Sequence, residues 1–282
     1  MAQPTIEPIT AESLPEFAAF LHENLAAARS PRAWLEGLSK SWGMSPPNHG
    51  FLLRAEEKIV GGIGAYYAER LIKGQPQRVC NITSWCVLEE YRKQSMRLAL
   101  AVIGQKGYHF TDFSPTKVVG GVLQFLKFRP LDERQAVIVN LPWPSFGCKL
   151  LTRPVDIENA LQGEALRAYR DHATFPWLQH IVIGAPNKWC HVIYKRTRYK
   201  RLPSAHVLYL SDPTIFERHY RRLARHFISL GLATCHVDCR FISHRPWPSA
   251  VRSGFNAKVY LSPTLSDSDI DYLYSETMAL DL

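Results

Sequence analysis

Residues 87–103 read Val-Leu-Glu-Glu-Tyr-Arg-Lys-Gln-Ser-Met-Arg-Leu-Ala-Leu-Ala-Val-Ile. The pattern is a strand end, a short polar turn and the opening of an apolar helix. At such a junction the first helical N–H groups lack intrahelical partners and the helix dipole favours an anion. Arg92, Lys93 and Arg97 flank the turn, and Ser95 offers a hydroxyl. Turns that cradle phosphate are usually rich in glycine, and this one has none. On these residues alone, a phosphate site and a solvated helix start both stand.

The chain around this junction has 282 residues, 46% hydrophobic and 21% charged, with a formal net charge of +9. That length suits one large domain or two smaller ones. No apolar run reaches the roughly 18 residues of a membrane-spanning helix. The N-terminal stretch has no basic region followed by an apolar core, so a cytoplasmic protein without a secretory signal is expected. Six cysteines are too sparse for a disulfide framework in a chain this long. Cys235 and Cys239 fall four apart on an expected strand, roughly 13 Å from one another. One zinc ion cannot take both sulfurs at about 2.3 Å, so no metal site is expected. The positive charge raises nucleic-acid binding as an alternative, with the cluster 195–201 and the arginines of helix 214–230 as its surface. A solvated hairpin turn and helix face account for the same residues.

Hydrophobic periodicity places the elements. A strand over 5–10 precedes a helix carrying Leu14, Phe17, Ala18, Leu21 and Leu25, then a shorter helix over 32–41. Strands 50–54 and 59–67 form a hairpin, and 79–87 is a third long strand. After the opening junction come a helix over 96–106, a strand over 108–113, a helix over 115–125 and a strand over 136–141. The turn-rich stretch that follows is a natural boundary. Beyond it a helix spans 157–169, followed by strands 179–183, 189–194 and 205–210. Asp212 caps a helix that starts at Pro213 and ends at Gly231. Strands over 232–242 and 257–261 complete the second half, so the order of elements repeats. Pro-Trp-Pro-Ser occurs at 142–145 and 246–249, at non-equivalent places in the two halves.

The opening stretch resembles motif A of the GNAT acyltransferase superfamily, written V-x-P-x-Y-R-G-x-G-x-G/A-x-x-L. Val87, Tyr91, Arg92 and Leu100 match; Glu89, Lys93, Ser95 and Arg97 stand where the family has proline, two glycines and a small residue. The stretch 116–128 resembles the family's later N-x-x-A-x-x-L-Y-E-K-L-G-F segment, with Thr116 at the asparagine and Leu126 and Phe128 at its end. Leu123 occupies the place of the tyrosine that many members use as general acid. The resemblance implies an α/β (α+β) fold of two tandem GNAT-like domains, each a mixed, mostly antiparallel twisted sheet flanked by helices. The expected division is 1–141, binding acyl-CoA, and 142–282, a degenerate copy whose helix start would repel pyrophosphate through Asp212.

The activity implied is N-acyl transfer from acetyl-CoA or another acyl-CoA to an amine by direct attack. Trp85, Cys86 and Val87 would hold the pantetheine arm. Arg92, Lys93, Gln94, Ser95, Met96 and Arg97 would meet the phosphates, and Thr116 is a further cofactor-binding residue. The attacking amine needs a proton acceptor and the leaving thiolate a proton, and Tyr108, His109 and Asp112 on the strand after the motif helix are the positional candidates. The acceptor is a small-molecule or peptide amine, and an acidic acyl carrier protein is a further possible partner for so basic a chain. A GNAT-like module without catalysis is the alternative, if loss of the glycines abolished cofactor binding.

Overall fold

The computed structural model describes residues 3–42 and 45–281. Within them the chain forms two compact units, one of the described residues up to 131, 257–266 and 274–281, the other of 132–256 and 267–273.

The first unit opens with β1 (Thr5–Pro8), α1 (Leu14–Asn24) and α2 (Pro31–Leu38), then β2 (Gly50–Ala55), β3 (Lys58–Ile72) and β4 (Gln75–Val87). A 3-10 helix (Glu89–Gln94) runs into α3 (Ser95–Ile103), and β5 (His109–Asp112), α4 (Lys117–Phe125) and β6 (Arg129–Pro130) follow. The apolar stripe of α1 buries Phe17 and Leu21 fully, each contributing about 2 kcal/mol. Gly62 on β3 makes room for this helix, since a Cβ there would fall 2.4 Å from the Phe17 ring.

The second unit carries β7 (Gln135–Val139), β8 (Lys149–Leu151), α5 (Pro154–Ala160), α6 (Gly163–His172), β9 (Leu178–Ala185), β10 (Lys188–Tyr199), β11 (Leu202–Leu210), α7 (Pro213–Ser229), β12 (Thr234–Asp238) and β13 (Ser249–Arg252). The chain then supplies β14 (Val259–Leu261) and the single-turn α8 (Glu276–Ala279) to the first unit. Asp212 caps α7 by accepting from the Ile215 N–H at 3.1 Å. The single helix expected over 157–169 is two, because Leu161 and Gln162 are extended between them and Gly163, which opens α6, takes a left-handed φ of 54°.

Each sheet has seven strands. The first runs β1-β2-β3-β4-β5-β14-β6 and the second β13-β7-β12-β11-β10-β9-β8. All neighbours are antiparallel except β4 with β5 and β11 with β12. The two orders are one pattern, four strands followed by a parallel partner and two more. Both are mixed sheets flanked by helices, as the tandem reading expects.

The partition differs from the expected break after residue 141. The strand expected to close the first half, β7, pairs with β12 in the second sheet. The strand expected to close the second half, β14, pairs with β5 in the first. Ala136, Val137 and Ile138 are all buried, so β7 must sit inside a sheet, but an apolar run does not name its neighbour. The unit boundary therefore falls between Leu131 and Asp132.

Candidate active site

In the first unit β4 and β5 run parallel only from Val79↔His109 to Asn81↔Thr111. Beyond that point β5 ends and β4 continues to Val87, so the backbone of 82–87 facing β5 takes no part in that ladder. The parting coincides with a bulge. Gly64 pairs with Thr83 and Gly62 with Cys86, which leaves Ile63 opposite Ser84 and Trp85. Ser84 has a φ of 50°. A bulge of this kind bends the strand and re-aims its side chains.

The cleft opened there has a volume of about 150 Å³. Thr83, Ser84 and Trp85 line it from β4, Asp112 and Ser114 from the end of β5, Thr116 and Val119 from the start of α4, Leu25 and Trp34 from the α1–α2 region, and Leu280 from the segment after α8. Thr116 also caps α4, accepting from the Val119 N–H at 3.3 Å. The indole N–H groups of Trp34 and Trp85 are buried without a hydrogen-bond partner.

Two carboxyls meet beside this cleft. Asp112 is 5% exposed and Glu276 fully buried. Ser114 bridges them: its N–H donates to Asp112 Oδ1 at 3.1 Å and its hydroxyl to Glu276 Oε1 at 3.1 Å. Glu276 Oε1 also accepts from the Phe113 N–H at 2.9 Å, and the Glu276 N–H donates to Asn81 Oδ1 at 2.8 Å. Glu276 Oε2 has no partner. Burial raises both carboxyls above the usual carboxylate range, and the neighbouring Glu276 raises Asp112 further. Sequence reasoning missed Glu276, an isolated acid far from either motif whose place depends on the path of the chain after β14.

The other expected residues are distributed differently. Tyr108 and His109 stand at the opposite end of β5 from the cleft. The Arg78 guanidinium lies 4.1 Å from the Tyr108 ring centre and donates to its hydroxyl. His109 is buried, with Nδ1 bonded to Ser262 Oγ and Nε2 to Gln77 Oε1, each at 2.8 Å. Of the three acid–base candidates only Asp112 reaches the cleft. Cys86 donates to the Asn24 carbonyl at 3.5 Å, and burial pushes its thiol up.

The glycine-free turn is helical rather than open. The Ser95 N–H donates to the Arg92 carbonyl, so the 3-10 turn takes up a group that an open loop would present. Arg92 pairs with Glu89 at 2.8 Å, both largely exposed. Arg97 donates to the Pro4 carbonyl and to Gln94 Oε1, each at 3.1 Å. Gln94 and Ser95 are half-buried, while Lys93 and Met96 are exposed. An exposed pair such as Arg92–Glu89 is worth at most about 1 kcal/mol; Arg97, with its two hydrogen bonds, is held more firmly.

The second sheet repeats the geometry with different chemistry. β11 and β12 are parallel from Ser204↔Thr234 to His206↔His236, and β11 carries its own register shift opposite Ile193 and Tyr194. The acid at the end of β12, Asp238, is neutralised: Arg240 Nε donates at 3.1 Å, the Tyr272 hydroxyl at 2.8 Å and Gln135 Nε2 at 3.1 Å.

No family model and no curated protein matches the sequence. Solved structures do match. A GCN5-related N-acetyltransferase from Anabaena variabilis superposes with a TM-score of 0.62 at 11% identity, covering 91% of this chain and 72% of that one. A conserved Enterococcus faecalis protein described as a probable N-acyltransferase gives 0.57 at 11% identity, with 92% and 72% covered. Saccharomyces cerevisiae N-myristoyltransferase with bound myristoyl-CoA gives 0.50 at 11% identity, with 100% and 86% covered. The parallel pair that parts at a bulge, found once in each sheet, and these superpositions together identify the fold of this chain as that of the GCN5-related N-acetyltransferase superfamily, in two tandem copies.

Proposed function

We propose that the first unit is an acyl-CoA-dependent N-acyltransferase and that the second is a degenerate copy without a cofactor. The observation that carries this reading is the cleft between the parted ends of β4 and β5, which holds a bulged strand on one side and a buried carboxyl on the other. The pantetheine arm lies along Trp85, Cys86 and Val87, whose backbone is not consumed by β5. The phosphates lie toward Arg92, Lys93 and the start of α3, drawing Arg92 from Glu89. The donor is acetyl-CoA or a longer acyl-CoA; the structural neighbour with bound myristoyl-CoA supports the class and not the chain length. An amine attacks the thioester carbonyl directly, the C–N bond forms, and the C–S bond breaks to release the CoA thiol. The protein acts in the cytoplasm, with a small-molecule or peptide amine as acceptor.

One observation favours the alternative of a binding module without catalysis. The turn at 89–94 is a 3-10 helix with Glu89 and Glu90 in its first turn, placing negative charge near the expected phosphate position. Titration of the full chain with acetyl-CoA, and with a long-chain acyl-CoA, separates the two by thermal shift and calorimetry. Acyl transfer requires saturable binding that weakens in Arg92→Glu. Absence of binding by either donor leaves only the module.

A further inference from the structure

Four arginines of α7 share one stripe of the helix. Arg218, Arg221, Arg222 and Arg225 recur at the i, i+3, i+4, i+7 spacing, opposite the buried Phe216, Tyr220, Leu223 and Phe227. Like charges at these spacings destabilise a helix. Among the described residues none of the four forms an ion pair. The one acid of α7, Glu217, is engaged elsewhere: it accepts from the Ser243 N–H at 2.6 Å and faces His244 at 3.2 Å. Arg222 is half-buried, and its Nε–H is buried without an acceptor. Arg196 of β10 adds a fifth cation nearby: burial first, then Arg222 and Arg196, hold His226 below its ordinary value. Such an uncompensated line of positive charge attracts a polyanion. Aromatic rings stand beside it. The Arg221 guanidinium lies 5.6 Å from the Trp143 ring centre, and the ring centres of Trp143 and Trp247 are 6.0 Å apart. The pairing of β7 with β13 brings the two indoles together, with the Val139 N–H donating to the Pro248 carbonyl at 3.0 Å. Trp247 is 75% exposed, so its ring is open to stack on another flat ring.

We propose that this face of the second unit binds a single strand of nucleic acid, with phosphates along the arginine stripe and a base stacked on Trp247. Charge and rings together select this partner. An acidic protein surface answers the arginines but leaves the indoles without a flat ring to stack on. A double helix carries phosphates but keeps its base faces stacked on one another. A single strand offers phosphates and open bases at once, the combination that basic grooves lined with aromatic side chains hold. The stripe from Arg218 to Arg225 runs about 10 Å along the helix, long enough for only a few phosphates. Binding is therefore weak at high salt. It is also tolerant of sequence, since every base has a π-face. The proposal gives the second unit a task that needs no acyl-CoA and stands apart from the cleft of the first.

The test is fluorescence anisotropy of a labelled oligouridylate of about 12 nucleotides, titrated with the full chain at salt from about 50 to 200 mM. The strand binds, and log affinity falls against log salt with a slope of roughly −3, four phosphate contacts contributing about −0.7 each. Arg218→Gln/Arg225→Gln makes that slope shallower by about 1.4. Trp247→Ala weakens binding by about fivefold to a hundredfold and leaves the slope unchanged, and Trp247→Phe keeps most of the affinity. All three variants change exposed side chains, and circular dichroism checks that they stay folded. A duplex of the same length binds more weakly, and poly-L-glutamate does not displace the strand at equal charge. No binding at the lowest salt, or an unchanged affinity in Trp247→Ala, overturns the proposal. So does an unchanged salt slope in the double arginine variant, or a duplex or polyglutamate that binds as tightly as the single strand.

Discussion

The ion pair that closes the second unit's strand junction makes a sharp prediction. Arg240 and Asp238 have side-chain exposures of 3% and 0%. Replacing the arginine in Arg240→Met leaves a carboxylate in the interior without its cation. Removing one partner of a buried pair costs about 3–5 kcal/mol. Two donors to Asp238 survive, the Tyr272 hydroxyl and the Gln135 amide, which puts the loss near the lower end, about 3 kcal/mol. Contacts of the guanidinium with the Phe241 and Tyr272 rings, at 4.4 and 5.4 Å from their centres, are partly kept by the methionine chain. The double variant Asp238→Leu/Arg240→Met has no charge left to strand and recovers most of the loss, since apolar replacement of a whole buried pair is often neutral or stabilising. Amide hydrogen exchange of β12 reads the unit locally. The single variant speeds exchange there by roughly a hundredfold, and the double variant returns it toward wild type. If both variants exchange alike, or the single change costs under about 1 kcal/mol, the pair does not neutralise a buried charge as argued.

Further outcomes follow from other parts of the chain. Thr116→Ala removes the α4 cap and lowers stability by about 1 kcal/mol, measurable as a shift in the urea midpoint. Gly62→Val drives side-chain atoms into the Phe17 ring and costs about 1–3 kcal/mol or more; the paired change Phe17→Ala relieves the clash while opening a cavity of its own, so the two are non-additive. His180 and His236 are both pushed down to about 4, chiefly by burial. A histidine lowered in the folded state supports stability above its unfolded value near 6.5, and that support is lost as pH falls from there toward 4. Each ring contributes roughly 3 kcal/mol at most, so the second unit unfolds first on acidification, and His180→Gln flattens the profile measured by circular dichroism.

Much of this was readable in the residues because it is local. The Asp212–Pro213 helix start, the apolar stripe of α1 and the strand-to-helix junction at Val87 are each set by neighbours within a turn or two. The exchange of β7 and β14 was not readable, since periodicity reports burial and never the identity of the partner strand. Glu276 was invisible for the same reason: one acid in an unremarkable segment acquires meaning only when β14 carries the chain back beside β5. The turn at 89–94 escaped for a different cause. Its missing glycines were visible, but not that Glu89 and Arg92 would pair across a 3-10 turn. The two Pro-Trp-Pro-Ser copies, unrelated by element order, meet in the second unit, where Trp143 and Trp247 have ring centres 6.0 Å apart.

The reciprocal strands also order events during synthesis. A chain that has left the ribosome only as far as residue 256 already contains every strand of the second sheet. The first sheet, begun earliest, still lacks β14 between β5 and β6, the cleft lacks Leu280, and Asp112 lacks its neighbour Glu276. The earliest-made strands therefore wait longest for their neighbour, with the edge of β5 open meanwhile to pairing with other chains. Truncation after residue 256 should leave the first sheet without β14 and aggregation-prone, and the second unit without the Tyr272 hydroxyl that donates to Asp238, so that both units are completed only by the segment made last.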